Sequence, residues 1–511
     1  MNGIPSQRAA TIAVVLIAAA KFILHMVFNG SYDFFRDEFY YIASGEHLDW
    51  GFVDHPPLIP LIANCSRMLF GDSLRAIRFV PAVASSVIVI QGAAIARLMG
   101  GGWFARILTA LCIAGAPMYL SDGGMLTTNS LEPLLWMGCA YYAIRAVKED
   151  DPKYWLWFGI IGGIGLQEKY SMGVFLVGIT AGLLLTSARP WLMHQVFWIG
   201  AALALLVFLP NVIWNENHNW PFLEVMRNLK ITGRDVVLSP IRYFIEQWLL
   251  IHPLTAPIWI AGLAGLFFWK RLSPYRFLAW AYVAVFAFFV ISRGKNYYVA
   301  PIYPMLLAAG AIATEQLFAR PRLNWLRPLS LLTIFVAQLA LLPIIVPILP
   351  IERLGAYLDS LPFAVPRSEV NHLRVALPQH YADQFGWREL VELVGRGWQQ
   401  IPESERSDCA IFAQNYGEAG AIDFFGARYG LPPAISGHLN YYLWGPRNYS
   451  GNCMLVIGDR KEVLESKFDQ VEYSGTTDAP YAVQNHIPVF LCRRPKFGAL
   501  AAVWPELKTW R

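Results

Sequence analysis

The sequence predicts a polytopic, all-α membrane protein, a bundle of about 11 transmembrane helices, with a C-terminal soluble α/β domain. Hydrophobic residues make up 56% of the 511 residues and charged residues only 15%, whereas a soluble chain has about 25% charged residues. The chain is also rich in Trp, Tyr and Phe, which concentrate at membrane–water interfaces. Beyond about residue 350 the composition changes, and charged residues, Gly, Pro and Asn become common.

Eleven apolar runs are candidates for membrane-spanning helices, which need about 20 apolar residues each. No cleavage site follows the first run, so we interpret it as an uncleaved signal anchor. The fifth run is short and rich in Gly, and we expect it to be tilted or to lie deep in the bundle. The predicted spans are 9–28, 76–98, 104–120, 128–147, 155–168, 171–187, 194–213, 245–269, 276–292, 298–318 and 328–349.

The short loops between these spans predict the orientation, because Lys and Arg collect on the cytoplasmic side. With the N-terminus in the cytoplasm, all five cytoplasmic loops contain basic residues, whereas the opposite loop SDGGMLTT has none. An odd number of spans then puts the C-terminal part outside. The predicted domains are a transmembrane domain, 1–349, with external loops at 29–75 and 214–243, and an extracytoplasmic α/β domain, 350–511.

The C-terminal domain is predicted from short apolar runs around a helical segment. CAIFAQ, CMLVIG and PVFLCRR are typical of buried strands, and YGEAGAIDFFGARYG of a helix that ends at Gly430. The domain has no phosphate-binding loop and no nucleophile elbow, so we expect the chemistry elsewhere. The six Cys are scattered without a CxxC pair, which favours buried thiols over disulfides or metal ligands.

The first external loop contains two adjacent acids, Asp37 and Glu38, which are candidates for a catalytic role. FFRDEFYYIASG has helical spacing, which puts Asp37 on one face with Tyr40 or Tyr41. Glu38 points about 100° away, so we expect the two acids to have different roles and Glu38 to be structural. The alternative for Asp37 is a salt bridge to Arg36 or to another basic residue at the surface.

Four more charged residues stand out on the predicted outer face. Asp54 is followed by a His and two Pro, a position where an acid is a good helix N-cap; a catalytic or binding role is the alternative. Lys169, Arg293 and Lys295 lie at external helix ends, against the positive-inside rule. They are interpreted either as snorkelling side chains at the membrane interface or as an anion site.

Several segments spread along the chain form a set with a fixed order. They are the Asp-Glu pair after the first span with the DHPPL segment, then GIGLQEKYS, PNVIWNENHNWP, GKNYYVAPIYPMLLAAGA and YGEAGAIDFFGARYGLPPAISGHLNYYLWGP. Together they resemble the family 39 glycosyltransferases, which include protein O-mannosyltransferases, lipid A aminoarabinose transferases and bacterial transferases of the galacturonosyl kind. The resemblance implies a GT-C-type bundle with its active site on the outer face.

The resemblance implies a polyprenyl-phosphate sugar as donor, an envelope glycan, lipid or protein as acceptor, and inversion at the anomeric carbon. Such a reaction needs a general base for the acceptor hydroxyl and positive charge for the leaving phosphate. By motif position, Asp37 is the implied base, and Lys169, Arg293 and Lys295 are the implied phosphate ligands. Asp54 is implied to orient the acceptor or to hold a metal ion.

The same motifs imply further substrate-binding residues. His55 stands where the aminoarabinose transferases have Lys, and it is a candidate donor to the phosphate or the sugar. His218, in the second external loop, is a substrate-binding candidate and, with Asp54, a weak candidate for a divalent metal site; no other cofactor is indicated. The tyrosines that belong to this predicted set are Tyr40, Tyr41, Tyr170, Tyr297 and Tyr298.

A transporter or flippase of a polyprenyl-linked or other lipid substrate is the alternative function. It would place ionisable residues in the middle of several spans, whereas the charges here cluster at external ends. An inactive structural or assembly protein of the same fold is disfavoured by the presence of both Asp37 and Lys169. We expect a multi-pass protein of the bacterial inner membrane. We expect no nucleic-acid partner, because the net charge of +5 is modest and no basic block is present.

Overall fold

The computed structural model describes residues 7–233, 235–365, 369–370 and 377–510. The first two thirds of the chain form a bundle of helices. Its α-helices are α1 (Gln7–Phe28), α2 (Arg36–Glu46), α3 (Leu58–Phe70), α4 (Leu74–Ile77), α5 (Phe79–Leu98), α6 (Trp103–Ala114), α7 (Pro117–Gly124), α8 (Glu132–Glu149), α9 (Tyr154–Glu168), α10 (Ser171–Leu184), α11 (Gln195–Asn217), α12 (Pro221–Thr232), α13 (Pro240–Ile251), α14 (Ala256–Phe268), α15 (Arg276–Ile291), α16 (Tyr303–Leu317) and α17 (Leu326–Ile345).

All eleven predicted spans are helical over most of their length. Within the described residues, six helical segments are long and apolar enough to cross a membrane, or up to eight if each of two bent pairs is one span. The count of eleven therefore stays a prediction. The bent pairs are α6 with α7, at 58°, and α13 with α14, at 103°. Each bend precedes a proline, Pro117 or Pro253, which lacks the N–H that would continue the helix.

The Gly-rich fifth span, α9, packs closely against α11. A Cβ at Gly159 would lie 1.9 Å from the Gly200 carbonyl oxygen, and a Cβ at Gly163 would lie 2.9 Å from the Ala204 carbonyl oxygen. Only residues without a side chain allow two helix backbones to approach this far. The glycines of this span therefore serve helix packing inside the bundle.

The C-terminal part contains a four-stranded sheet of order β1-β2-β4-β3, in which β1 and β2 are parallel and the other pairs antiparallel. The predictions of β1, β2 and β4 are confirmed. The sequence did not predict β3, because only the first residue of this edge strand is buried and the strand has no apolar run. The elements are α18 (Ile351–Asp359), α19 (Gln379–Ala382), α20 (Trp387–Gln399), α21 (Glu403–Arg406), β1 (Cys409–Phe412), α22 (Tyr416–Phe425), α23 (Leu439–Trp444), β2 (Cys453–Ile457), α24 (Lys461–Lys467), β3 (Phe468–Thr476), β4 (Pro488–Pro495) and α25 (Leu500–Val503).

Cys409 and Cys453 form a disulfide, so the prediction of buried thiols is wrong for this pair. The two residues begin β1 and β2 and face each other in the parallel register, with their Cα atoms 4.5 Å apart. They are separated by 44 positions in the sequence, and only the strand pairing reveals that they meet. The other four cysteines are free, and all but the first are buried: Cys65, Cys112, Cys139 and Cys492.

Candidate active site

The first of the predicted external loops forms the predicted short helix, α2, which carries Asp37. Its first turn holds Asp37 and Glu38, where negative charge suits the positive end of the helix dipole. Most side chains of α2 are buried because the helix packs against α3 and against α22 of the C-terminal part. Asp37 therefore lies where the bundle meets the C-terminal part of the chain.

Glu38 is structural, as its predicted direction implies. Its carboxylate is fully buried and accepts hydrogen bonds from Arg78, through Nε at 2.8 Å and Nη2 at 2.7 Å. It also accepts the backbone N–H groups of Phe35 at 2.8 Å and Leu126 at 2.9 Å. These bonds tie the start of α2 to the residue before α5 and to the loop after α7, which fixes the helix and, with it, Asp37.

A cavity of about 1040 Å³ opens beside Asp37. Its walls come from the ends of bundle helices, from the second external loop and from the C-terminal part of the chain. Ten of the twelve predicted site residues line it, although they come from separate segments of the sequence. These are Asp37, Tyr41, Asp54, His55, Lys169, Tyr170, Arg293, Lys295, Tyr297 and Tyr298.

Tyr40 and His218 do not line the cavity. Tyr40 lies behind Asp54 and donates its hydroxyl to Asp54 Oδ1 at 2.9 Å, so it contacts an acid of the site and not the open space. His218 ends α11, with Nδ1 2.7 Å from the Trp214 carbonyl oxygen and its ring stacked on that of Trp214 at 4.0 Å. The predicted roles of His218 in substrate or metal binding are therefore not supported by its position. Among the described residues, no three His, Cys, Asp or Glu side chains form a metal-binding group.

Asp54 is a cavity residue and does not cap a helix. The next helix, α3, begins at Leu58 without a side-chain cap. Asp54 Oδ1 lies 3.9 Å from His55 Nε2. Burial raises the pKa of Asp54 and lowers that of His55, since both lose contact with water. His55 Nδ1 is 2.9 Å from the Pro56 carbonyl oxygen, which can only accept, so in the neutral ring Nε2 is the acceptor.

The three basic residues that break the loop charge pattern all line the cavity. Lys169 Nζ lies 2.9 Å from Glu132 Oε2 and 4.8 Å from the ring centre of Tyr298. Lys295 pairs with acids of two other segments, at 3.0 and 3.5 Å. Arg293 has no ion pair with any described residue, and its backbone is held at φ 58°, in the left-handed region that few non-Gly residues adopt. Its guanidinium is therefore available to an anion in the cavity.

The charged or polar residues of the cavity wall that sequence reasoning missed include Arg36, Asp122 and Tyr416. Asp122 is a buried acid of α7. It belongs to the segment SDGGMLTT, which the sequence analysis used only as a loop without basic residues. Its position at the predicted external end of a bent helix pair is a signal that could have found it. Tyr416 belongs to a segment that carried the family resemblance, but no spacing rule predicts that its hydroxyl reaches Asp37 Oδ1, at 2.6 Å.

Comparison with known sequences finds similarity to glycosyltransferases over part of the chain. The family model described as dolichyl-phosphate-mannose-protein mannosyltransferase matches residues 54–214. That region includes Asp54, His55 and Lys169 and begins after Asp37. The lipid A galacturonosyltransferase RgtD of Rhizobium johnstonii is 26% identical over 195 residues, which are 37% of this chain and 39% of RgtD. The match thus spans about two fifths of the length of this curated relative.

Comparison with solved structures shows the fold. ArnT from Cupriavidus metallidurans, bound to undecaprenyl phosphate, is similar with a TM-score of 0.63 at 14% identity, over 94% of this chain and 98% of ArnT. The Archaeoglobus fulgidus oligosaccharyltransferase is similar with a TM-score of 0.51 at 13% identity, over 81% of this chain and 63% of that chain. The predicted GT-C-type architecture and the resemblance to family 39 glycosyltransferases are confirmed, and the chain is a multi-pass membrane protein.

Proposed function

We propose that this chain is a membrane glycosyltransferase, which moves a sugar from a polyprenyl-phosphate donor to a hydroxyl of an envelope acceptor. The observation that carries the proposal is that Asp37, Lys169, Arg293 and Lys295 all line one cavity. A carboxylate that accepts a proton and cations that face a leaving phosphate are the groups that this transfer requires.

Asp37 is the general base in this proposal. As the acceptor oxygen forms its bond to the anomeric carbon, its proton passes to the Asp37 carboxylate. The bond from that carbon to the phosphate oxygen breaks on the opposite face, which inverts the anomeric centre. The electron pair leaves with the phosphate, and Lys169 and Arg293 stabilise the charge that develops there. Asp54, with Tyr40 behind it, orients the acceptor.

The donor class is supported by the cavity and by the relatives. Apolar side chains from the bundle line part of the wall, where they suit the first isoprene units of a lipid carrier. The similar ArnT structure contains undecaprenyl phosphate, and the similar RgtD is named for transfer of galacturonic acid to lipid A. The apolar residues of the wall include Leu249, Phe288, Leu341, Ile344 and Ile345.

We place the cavity and the C-terminal domain, 350–511, on the outer face of the bacterial inner membrane, with the N-terminus in the cytoplasm. The basic residues of the predicted cytoplasmic loops support this orientation. The disulfide between Cys409 and Cys453 gives independent support, because such bonds persist in oxidising compartments and are rare in the cytosol.

The test is a transfer assay with the purified full-length chain in detergent. Undecaprenyl-phosphate donors that carry galacturonic acid, mannose or aminoarabinose are each mixed with bacterial envelope lipids, and products are detected by mass spectrometry. We expect transfer from one of these donors by the wild type. Asp37→Asn should lower turnover by roughly 10²- to 10⁴-fold, the usual contribution of a general base, while membrane insertion and melting temperature stay unchanged.

The matched control is Asp72→Asn, which alters an exposed acid of the same external loop that pairs with Arg67 outside the cavity wall. This variant should transfer sugar at the wild-type rate. Retained turnover in Asp37→Asn would contradict the role of Asp37 as base. A folded wild type that transfers none of the three sugars would contradict the proposed function.

A further inference from the structure

A tyrosine of the C-terminal domain contacts the candidate base. The Tyr416 hydroxyl donates a hydrogen bond of 2.6 Å to Asp37 Oδ1, across 379 positions of sequence. Arg36 Nε reaches the same oxygen at 3.3 Å. In the part of the chain that the structure describes, no hydrogen-bond donor reaches Asp37 Oδ2. One carboxylate oxygen is therefore held, and the other is left for a ligand in the cavity.

The ring of Tyr416 is itself held firmly. It stacks on Tyr40, at 4.6 Å between ring centres and 25° between planes, and on His438, at 5.1 Å and 16°. The Tyr416 backbone N–H donates to His438 Nδ1 at 3.3 Å. Tyr40 in turn donates to Asp54. Two stacked tyrosines, one from each part of the chain, thus hold two acids of the cavity, Asp54 and Asp37.

Two glycines bring the helix of Tyr416 close enough for this contact. A Cβ at Gly420 would lie 2.7 Å from Phe39 Cβ and 3.1 Å from the Phe39 carbonyl carbon, and a Cβ at Gly417 would lie 2.6 Å from Arg36 Cγ. Any larger residue at Gly420 would push against the backbone of α2. The C-terminal domain is therefore docked on the helix that carries Asp37 at nearly the closest possible distance.

We infer that Tyr416 is a positioning residue of the transferase, and that the C-terminal domain is part of the active site. This inference rests on the proposed function. A base acts only when its free oxygen lies within hydrogen-bond reach of the proton that it accepts. By holding Oδ1, Tyr416 stops rotation of the Asp37 carboxylate and presents Oδ2 to the acceptor hydroxyl. Asp37 is therefore oriented for catalysis only when the C-terminal domain is docked on α2.

Tyr416→Phe tests the inference, because it keeps the stacked ring and removes only the hydroxyl. We expect kcat to fall by roughly tenfold to 100-fold, the scale of a misplaced catalytic group. The KM values for donor and acceptor should stay within about twofold. Tyr441→Phe is the matched control, since Tyr441 donates its hydroxyl to Asp423 Oδ2 at 2.8 Å in the same domain, away from the cavity wall. It should keep the wild-type kcat.

A second variant, Gly420→Ala, tests the same contact in a different way, so that the inference does not depend on the folding of Tyr416→Phe alone. Gly420→Ala should separate α22 from α2 and lower kcat, but it should add little in the Tyr416→Phe background, because both changes act through one contact. A wild-type kcat in Tyr416→Phe would overturn the inference alone, as would equal losses in Tyr416→Phe and Tyr441→Phe. Absence of transfer by a folded wild type would instead overturn the proposed function and this inference with it.

Discussion

Arg78 donates two hydrogen bonds to the Glu38 carboxylate, Nε to Oε1 at 2.8 Å and Nη2 to Oε2 at 2.7 Å, and the two side chains are 1% and 0% exposed. Removal of one partner of such a pair leaves a buried charge without compensation and costs about 3–5 kcal/mol of folding free energy. We therefore expect Arg78→Met to lower the yield of folded protein and its melting temperature in detergent.

The control for this prediction is Arg67→Met, which removes an arginine from an ion pair with two exposed acids, Glu46 and Asp72, at 48% and 61% exposure. Exposed pairs contribute about 0–1 kcal/mol, so this variant should melt close to the wild type. Melting of Arg78→Met at the wild-type temperature would show that the Glu38 pair does not hold α2 in place.

Lys169→Ala should weaken binding of the donor more than binding of the acceptor. Lys169 is the proposed phosphate ligand, and hydrogen bonds to charged groups contribute about 1.5–3 kcal/mol, which corresponds to a rise in donor KM of roughly tenfold to 100-fold. The single change also leaves Glu132 unpaired, 2.9 Å from the lost Nζ. In the double variant with Glu132→Gln, stability should recover while the donor KM stays high. Equal changes in both KM values would remove Lys169 from the phosphate site.

The predicted features that agree with the geometry of the structure are those whose signal is local. Asp37 and Glu38 are neighbours, and the angle between successive residues of a helix predicted that they face different partners. Lys169, Arg293 and Lys295 broke a simple charge rule, and each lies where an apolar run ends. Hydropathy and charge report which part of a helix faces which side of the membrane, so these residues could be assigned to one site.

The features that the sequence did not reveal depend on contacts between distant segments. The hydroxyl of Tyr416 meets Asp37 only because α22 docks on α2, and glycine spacing alone does not name the partner helix. Cys409 meets Cys453 only through the register of two strands. Tertiary packing decided each of these cases.

Labelling of single cysteines tests the orientation. The exposed native Cys65 must first be replaced by Ser, because it lies in a predicted external loop, where it would react. In that background, Ser466→Cys on the C-terminal domain should react with an impermeant maleimide in spheroplasts. Ser187→Cys, in the predicted cytoplasmic loop SARPWLMH, should react only after permeabilisation. The opposite pattern would reverse the proposed topology.

Asp423 should make the C-terminal domain less stable as the pH rises. Its Oδ1 accepts the Ala434 N–H at 2.7 Å and its Oδ2 accepts the Tyr441 hydroxyl at 2.8 Å. Burial raises its pKa to about 6 in spite of these bonds, whereas the pKa of an Asp in an unfolded chain is about 3.9. The folded state therefore binds the proton more tightly. Between about pH 4 and pH 6 this group lowers the stability, and above that range the loss is complete.

Asp423→Asn removes the charge and keeps both hydrogen bonds, since the amide oxygen accepts the Ala434 N–H and the amide nitrogen donates to the Tyr441 oxygen. We expect the variant to melt a few degrees above the wild type at about pH 7.5, a common gain when a buried charge is removed. The difference should shrink towards about pH 4, where the wild-type group is also neutral. Melting curves of the full-length chain in detergent measure this difference. An equal difference at both pH values would show that Asp423 does not titrate during folding, and a less stable variant at about pH 7.5 would show that its charge stabilises the domain.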